Sequence, residues 1–279
     1  MEAFYDHPCL GDPTGLLPDR LAGLDGDTRD AIEGLGSVMT VWAHPDDESY
    51  LAGGLMAAVA ALGAPVTCVT ATLGERGGPA DQQAETAWRR AEELSEAVHV
   101  LGVSDHVVLG LPDGGCSMAD PAHPVRAIVE LLATRRPDTV VTFGADGLTG
   151  HPDHRAVSRW VSAAVLLHPG PRPRLLHATE TPDQVARLGG IDGVYAPGLP
   201  RTHRPDELAL RLRLTGALLD AKVDALRAHA SQTTDLEARV GALRYRAWVA
   251  EEAFVDAPAP LEHRAATHAA WLALQAAPA

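Results

Sequence analysis

From Ser37 onward, short apolar runs and longer amphipathic stretches take turns along the chain. Ser37 to Trp42 reads as a strand, and Ser49 to Leu62 as an Ala-rich helix ended by Gly63. Pro65 to Thr72 is β-branched and apolar, hence a buried strand, followed by a Gly-rich loop from Gly74 to Gly78. Between Ala80 and Leu101, Ala87, Ala91, Leu94, Val98 and Leu101 recur at the spacing of one buried helix face. Val107 to Leu109, Thr139 to Phe143 and Arg174 to Thr179 read as further strands. Val125 to Thr134 and Pro152 to Leu167 read as helices, the second with Pro in its first turn, where a missing N–H costs nothing. Such alternation predicts right-handed βαβ units and an α/β fold with a mainly parallel sheet flanked by helices.

Beyond Pro182 the pattern weakens into Gly- and Pro-containing loops. It ends in two predicted helices, Asp206 to His229 and Leu236 to Phe254, as a helical C-terminal elaboration. Residues 1–36 read as an irregular or partly helical extension, and residues 37–279 as one domain, with no repeat or linker dividing it.

Composition narrows the function classes. A net charge of −14 removes the basic footprint that a non-specific nucleic-acid binder needs. Apolar residues make up 46% of the chain, yet no apolar run reaches membrane-spanning length, so no stable membrane insertion is expected. The start, Met1-Glu2-Ala3-Phe4-Tyr5-Asp6, lacks the features of a secretory signal. Cys9, Cys68 and Cys116 show no CxxC spacing, so neither a disulfide framework nor a thiolate metal site is implied, and a cytoplasmic setting fits. A homo-oligomer is compatible with all of this.

Two clusters carry chemistry, each directly after an apolar strand: His44-Pro45-Asp46-Asp47 and His151-Pro152-Asp153-His154. Ligands bind outside the carboxyl ends of strands in open parallel sheets, so both clusters belong on one edge. Two imidazoles and a carboxylate make a three-donor metal site with room left for water. His44 and Asp47, three apart in a tight turn, can face one ion, and His154 can complete the set. Asp46 is then free for proton transfer. His151 faces the substrate, with Asp153 able to hold its ring.

Taken together, Ala43-His44-Pro45-Asp46-Asp47-Glu48 and Gly150-His151-Pro152-Asp153-His154 resemble the signature of the LmbE/PIG-L-type zinc N-deacetylases. Supporting matches include Gly53-Gly54, Thr72-Leu73-Gly74-Glu75, Leu111-Pro112-Asp113-Gly114 and the stretch from Lys222 to Gln232 with His229 and Ser231. The resemblance spans roughly Ser37 to Phe254. It implies a Rossmann-like fold, a divalent metal (Zn²⁺, with Fe²⁺ as an alternative) and hydrolysis of the N-acetyl group of a small-molecule N-acetylated glycoside. It also implies His44, Asp47 and His154 as ligands, Asp46 as general base, and His151 as oxyanion stabiliser or acid with Asp153 orienting it. Arg90 and Asp113 match positions that contact substrate in some members. One departure stands out: a Tyr found just before the second cluster in some deacetylases of thiol precursors is replaced here by Leu148-Thr149.

Three other readings are open at this level. An amidase acting on a thiol conjugate would use the same site. A non-haem Fe(II) oxygenase also uses two His and one carboxylate, although such sites commonly place a His-x-Asp/Glu pair on a β-sandwich-like scaffold, whereas this chain shows helix–strand alternation with His-x-x-Asp. A nucleotide-binding module would use Leu73 to Gly78, which lacks the GxGxxG spacing.

Overall fold

The computed structural model describes residues 18–188 and 194–258. In chain order these form α1 (Gly26–Glu33), β1 (Val38–Trp42), α2 (Asp47–Ala61), β2 (Val66–Thr72), α3 (Gln83–Val100), β3 (Asp105–Leu111), α4 (Ala122–Arg135), β4 (Thr139–Phe143) and α5 (Pro152–Leu167). There follow β5 (Arg174–Thr179), α6 (Pro182–Leu188), β6 (Leu210–Arg213), α7 (Gly216–Ala228), α8 (Ala230–Val240), α9 (Ala242–Val249) and β7 (Glu251–Asp256). Most of the N-terminal stretch that precedes α1, and the Ala- and Pro-rich tail after residue 258, lie outside the described residues.

The strands make one seven-stranded sheet in the order β3-β2-β1-β4-β5-β7-β6. The first five are parallel, as the βαβ pattern predicts. Every residue of β1, β2 and β4 is buried, because helices cover both faces; this is why these strands read as unbroken apolar or β-branched runs rather than as alternations. Helix α2 stops where expected: Gly63, at φ +77°, takes the left-handed conformation that ends a helix.

The C-terminal region differs from its prediction. Leu210–Arg213 is a strand, not the opening of a helix, since Leu210 and Leu212 are buried while Arg213 is exposed, the two-residue period of a pleated edge. The second predicted helix, Leu236 to Phe254, breaks at Gly241, which sits at φ +85°, and its last part is β7. Strand β7 runs antiparallel to both β5 and β6, so the elaboration is three helices plus two strands added to the sheet. Among the described residues no helix is long and apolar enough to cross a membrane.

Candidate metal centre and its surroundings

The two motifs meet because β1 and β4 are direct neighbours, with Val38, Met39 and Thr40 in register with Thr139, Val140 and Val141. The chain continues from β1 to one side of the sheet and from β4 to the other, and a crevice opens at their carboxyl ends. His44 to Asp47 fills the turn into α2, and His151 to His154 the turn into α5.

Hydrogen bonds fix which atoms face the crevice. His154 Nδ1 lies 3.0 Å from the Gly147 carbonyl, which can only accept, so the proton is on Nδ1 and Nε2 carries a lone pair. The ring also stacks on Phe143, with centroids 4.2 Å apart. His44 Nε2 lies 3.2 Å from Asp113 Oδ1 and 3.4 Å from Asp153 Oδ2, so it donates there, and in the neutral ring Nδ1 holds the lone pair. Those two lone pairs face each other at 3.2 Å. The Asp47 carboxylate sits 3.5 Å from His44 Nδ1 and 3.4 Å from His154 Nε2. Three acceptors converging without a donor fit a divalent cation held by nitrogen and oxygen, and the acceptors behind both rings are what such a site needs to fix its ligands. Burial works to raise Asp47, but His154 and His44 outweigh it and hold the carboxyl well below its ordinary value. Burial likewise works to lower His44, yet Asp113, Asp153 and Asp47 together raise it well above an ordinary imidazole, so a cation taken up at Nδ1 would displace a proton there.

Asp46 is turned away from this set by its backbone. Its φ of +109° is a conformation that residues with a Cβ rarely adopt, and such strain persists only where the surroundings impose it. Here they do. The Asp46 N–H donates to Glu48 Oε2 at 2.9 Å, and Arg90 Nη2 donates to Asp46 Oδ2 at 3.2 Å and to the Pro45 carbonyl. Burial pushes the Asp46 carboxyl up to about 7, with Asp47 and Glu48 adding to the shift and Arg90 opposing it. A carboxylate tuned to that range suits proton transfer near neutral pH.

Arg90 is only 4% exposed, so it is not the surface ion pair that an Arg-x-x-Glu on a helix usually makes. Its guanidinium fills the space above Gly74 and donates to the Gly74 carbonyl at 2.8 Å. A Cβ on Gly74 would lie 2.2 Å from Arg90 Nη1. The Gly-rich loop is thus a seat for Arg90, which in turn holds Asp46. Asp113 also reaches the site, but its carboxylate is spent on His44 and on the Arg76 N–H at 2.9 Å.

Asp153 is fully buried, and its carboxylate is directed at His44 and at the Gly114 N–H, 2.7 Å away. Toward His151 it offers its backbone: the Asp153 N–H donates to His151 Nδ1 at 3.2 Å. The expected carboxylate–His151 pair is therefore replaced by a capping bond at the start of α5, and the carboxylate orients His44 instead. With Nδ1 accepting, neutral His151 carries its proton on Nε2. Burial and the neighbouring His44 hold it below the ordinary imidazole value, so this form predominates at neutral pH. A nitrogen of His151 comes within 4.8 Å of those of His44 and His154, but a protonated Nε2 is a donor and not a ligand.

Glu48, Thr149 and Lys222 were not assigned roles from sequence. Glu48 and His229, both fully buried, pair at 2.7 Å and anchor the turn from beneath. Thr149 Oγ1 lies 3.2 Å from His154 Nδ1. Lys222 Nζ donates to Glu252 Oε1 and to the Tyr50 carbonyl, both at 2.7 Å. Glu252 also accepts from the Gly54 and Leu55 N–H groups, so this ion pair takes part in the hydrogen-bond ladder of α2. Gly53 makes that approach possible, as a Cβ there would come 3.3 Å from Lys222 Cγ. The Lys222-to-Gln232 stretch is thereby explained as a clamp, completed by Ser231 on Glu93 and Gln232 on the Gly77 carbonyl.

Two recesses open on either side of the centre. A polar one is lined by Arg76, Arg90, Asp113 and His151, and an aromatic one by Tyr50, Tyr195 and Trp248. Asp46, Asp47, His154 and Gln232 border both.

Comparison with known proteins gives the family and the fold. Residues 39–165 match the family described as PIG-L, GlcNAc-PI de-N-acetylase. The 1D-myo-inositol 2-acetamido-2-deoxy-α-D-glucopyranoside deacetylase of Acidothermus cellulolyticus is 34% identical over 235 residues, covering 70% of this chain and 79% of the relative. Among solved structures, the conserved protein TT1542 of Thermus thermophilus covers 81% of this chain and 95% of its own, at 26% identity and a TM-score of 0.56. The N,N'-diacetylchitobiose deacetylase of Pyrococcus horikoshii covers 87% and 90%, with 22% identity and a TM-score of 0.60, a likeness of fold.

Proposed function

Since this chain belongs to the PIG-L family of de-N-acetylases, we propose that it hydrolyses the N-acetyl group of an N-acetylglucosamine glycoside. The inositol glycoside named for its relatives is the first substrate to test. The division of labour within residues 44–47 carries this reading: His44 and Asp47 turn inward with His154, while the positive φ of Asp46 leaves its carboxylate free beside them.

A divalent ion, assigned as zinc from the donor set of two imidazoles and one carboxylate, would supply the Lewis acidity that brings the pKa of water towards about 7. Asp46, held by Arg90, takes the proton of the attacking water. His151 presents its Nε2–H to the amide oxygen as negative charge develops there, an interaction worth more in the transition state than in the ground state. When the C–N bond breaks, the leaving amine collects from Asp46 the proton that Asp46 took from the water, giving acetate and the free amino sugar. A cytoplasmic setting accords with Cys68 and Cys116 being unpaired thiols.

The test is amine release from N-acetylglucosaminyl-inositol and from free N-acetylglucosamine by protein reconstituted with Zn²⁺ or Fe²⁺. Release that disappears on chelation and returns with metal is the expected result. Oxygen uptake with Fe²⁺ and an oxoacid, without amine release, would overturn the reading.

A further inference from the structure

The aromatic recess, of ≈ 280 Å³, has a feature that the hydrolysis does not use. Glu180, at the carboxyl end of β5, forms part of its wall and is 9% exposed. One carboxylate oxygen accepts from the Tyr195 hydroxyl. The other, Oε2, is buried with no hydrogen-bond partner among the described residues. Its backbone is fixed by a bridge to Thr202 and by the His203 N–H, 2.9 Å from the Glu180 carbonyl. An unpaired buried carboxylate oxygen is costly, and a rigid one is a fixed request for a hydrogen-bond donor.

We propose that this recess is a second subsite, which holds a hydroxyl-bearing ring attached to the amino sugar, and that Glu180 selects for that ring by accepting from its hydroxyls. The inference rests on the deacetylase reading above and specifies the part of the substrate beyond the amino sugar. Because Asp46, Asp47, His154 and Gln232 border both recesses, a glycoside whose amide lies over them reaches into both. Tyr50 and Trp248, with ring centroids 5.5 Å apart, give the aromatic recess a broad apolar wall for the C–H face of a ring.

Two other occupants fit less well. An alkyl chain would leave Glu180 Oε2 unpaired. A cationic group is not required, because Lys222 and Arg187 lie near Glu180, paired with Glu252 and Glu251, so the unmet need is a hydrogen-bond donor at Oε2. A neutral donor satisfies the oxygen without adding charge.

The experiment compares two glycosides of N-acetylglucosamine of similar size, one with inositol and one with cyclohexanol as aglycone. Selectivity, the ratio of their kcat/KM values, is measured for the metal-reconstituted wild type and for Glu180→Leu, Glu180→Gln and Trp248→Leu. Glu180→Leu is expected to lower the inositol-to-cyclohexyl ratio by about tenfold or more, the size of one unmade hydrogen bond to a charged group. Glu180→Gln, which keeps an acceptor, should recover part of it. Trp248→Leu should weaken both glycosides together. Calorimetric binding of deacetylated glucosaminyl-inositol gives a readout independent of turnover, and the same loss is expected for Glu180→Leu. An unchanged ratio, or equal loss on both glycosides in Glu180→Leu, would overturn the subsite. If neither glycoside is hydrolysed by the wild type, the deacetylase reading fails, and the calorimetry still decides on the pocket.

Discussion

Nδ1 of His44 and Nε2 of His154 face each other at 3.2 Å, and the other nitrogen of each ring has an acceptor behind it. A divalent cation in place of the shared proton would use both nitrogens together with Asp47. His44→Ala and His154→Ala are therefore expected to lose bound metal and activity together, as judged by elemental analysis of dialysed protein. His151→Ala should keep stoichiometric metal. Loss of metal there would make His151 a ligand and require the donor set to be redrawn.

Asp46→Asn should retain metal but lose on the order of 10²-fold or more in kcat, as removal of a general base does. Arg90→Gln should lower kcat in the same direction by a smaller factor, since Arg90 holds the Asp46 carboxylate. Near-normal turnover in Asp46→Asn would refute its assignment as base.

The Lys222–Glu252 pair is buried on both sides. Lys222→Met leaves Glu252 without its cation and is expected to destabilise the fold by about 3–5 kcal/mol, measured by urea unfolding. Adding Glu252→Gln should restore part of that loss. A double variant no more stable than the single one would show that the charge on Glu252 is not what the lysine compensates.

Glu48 and His229 give a pH signature. Burial works to raise Glu48, but His229 outweighs it and holds the carboxyl low, so its contribution is full above the unfolded pKa of about 4.3 and fades as pH falls. Burial works to lower His229, but Glu48 outweighs it and holds the imidazole high. That share is full below an unfolded pKa of about 6.5 and is lost as pH climbs through the raised folded value. The Tm gap between metal-free wild type and His229→Gln should thus be widest between roughly pH 4.3 and 6.5 and narrow at higher pH. A constant gap from mildly acidic to alkaline pH would rule out the titration.

The parallel core was readable because β1, β2 and β4 are buried on both faces and carry unbroken apolar or β-branched runs. Thr139 to Phe143 and Pro152 to Leu167 coincide with β4 and α5 to the residue. Strands β6 and β7 escaped for opposite reasons. Leu210 to Arg213 alternates correctly, but Leu and Arg are also good helix formers. In β7, Glu251 and Glu252 are buried acids whose partners, Arg187, Arg211 and Lys222, lie far off in sequence. Proximity of the two histidine clusters was inferable from strand ends, whereas the turning of Asp153 onto His44 was not. That geometry depends on Gly114, in the loop after β3, supplying an N–H to the same carboxylate.

Because the Glu252 carboxylate takes the Gly54 and Leu55 N–H groups and His229 grips Glu48, the turn that bears Asp46 is braced by the last third of the chain as well as by Arg90. The ribosome makes residues 44–48 early and their braces late. A nascent chain stalled before α7 would carry every metal ligand in sequence, and Arg90, yet lack both His229 and Glu252 beneath the turn. The full set of braces should therefore be complete only as the final strand pairs, a matter of when rather than where.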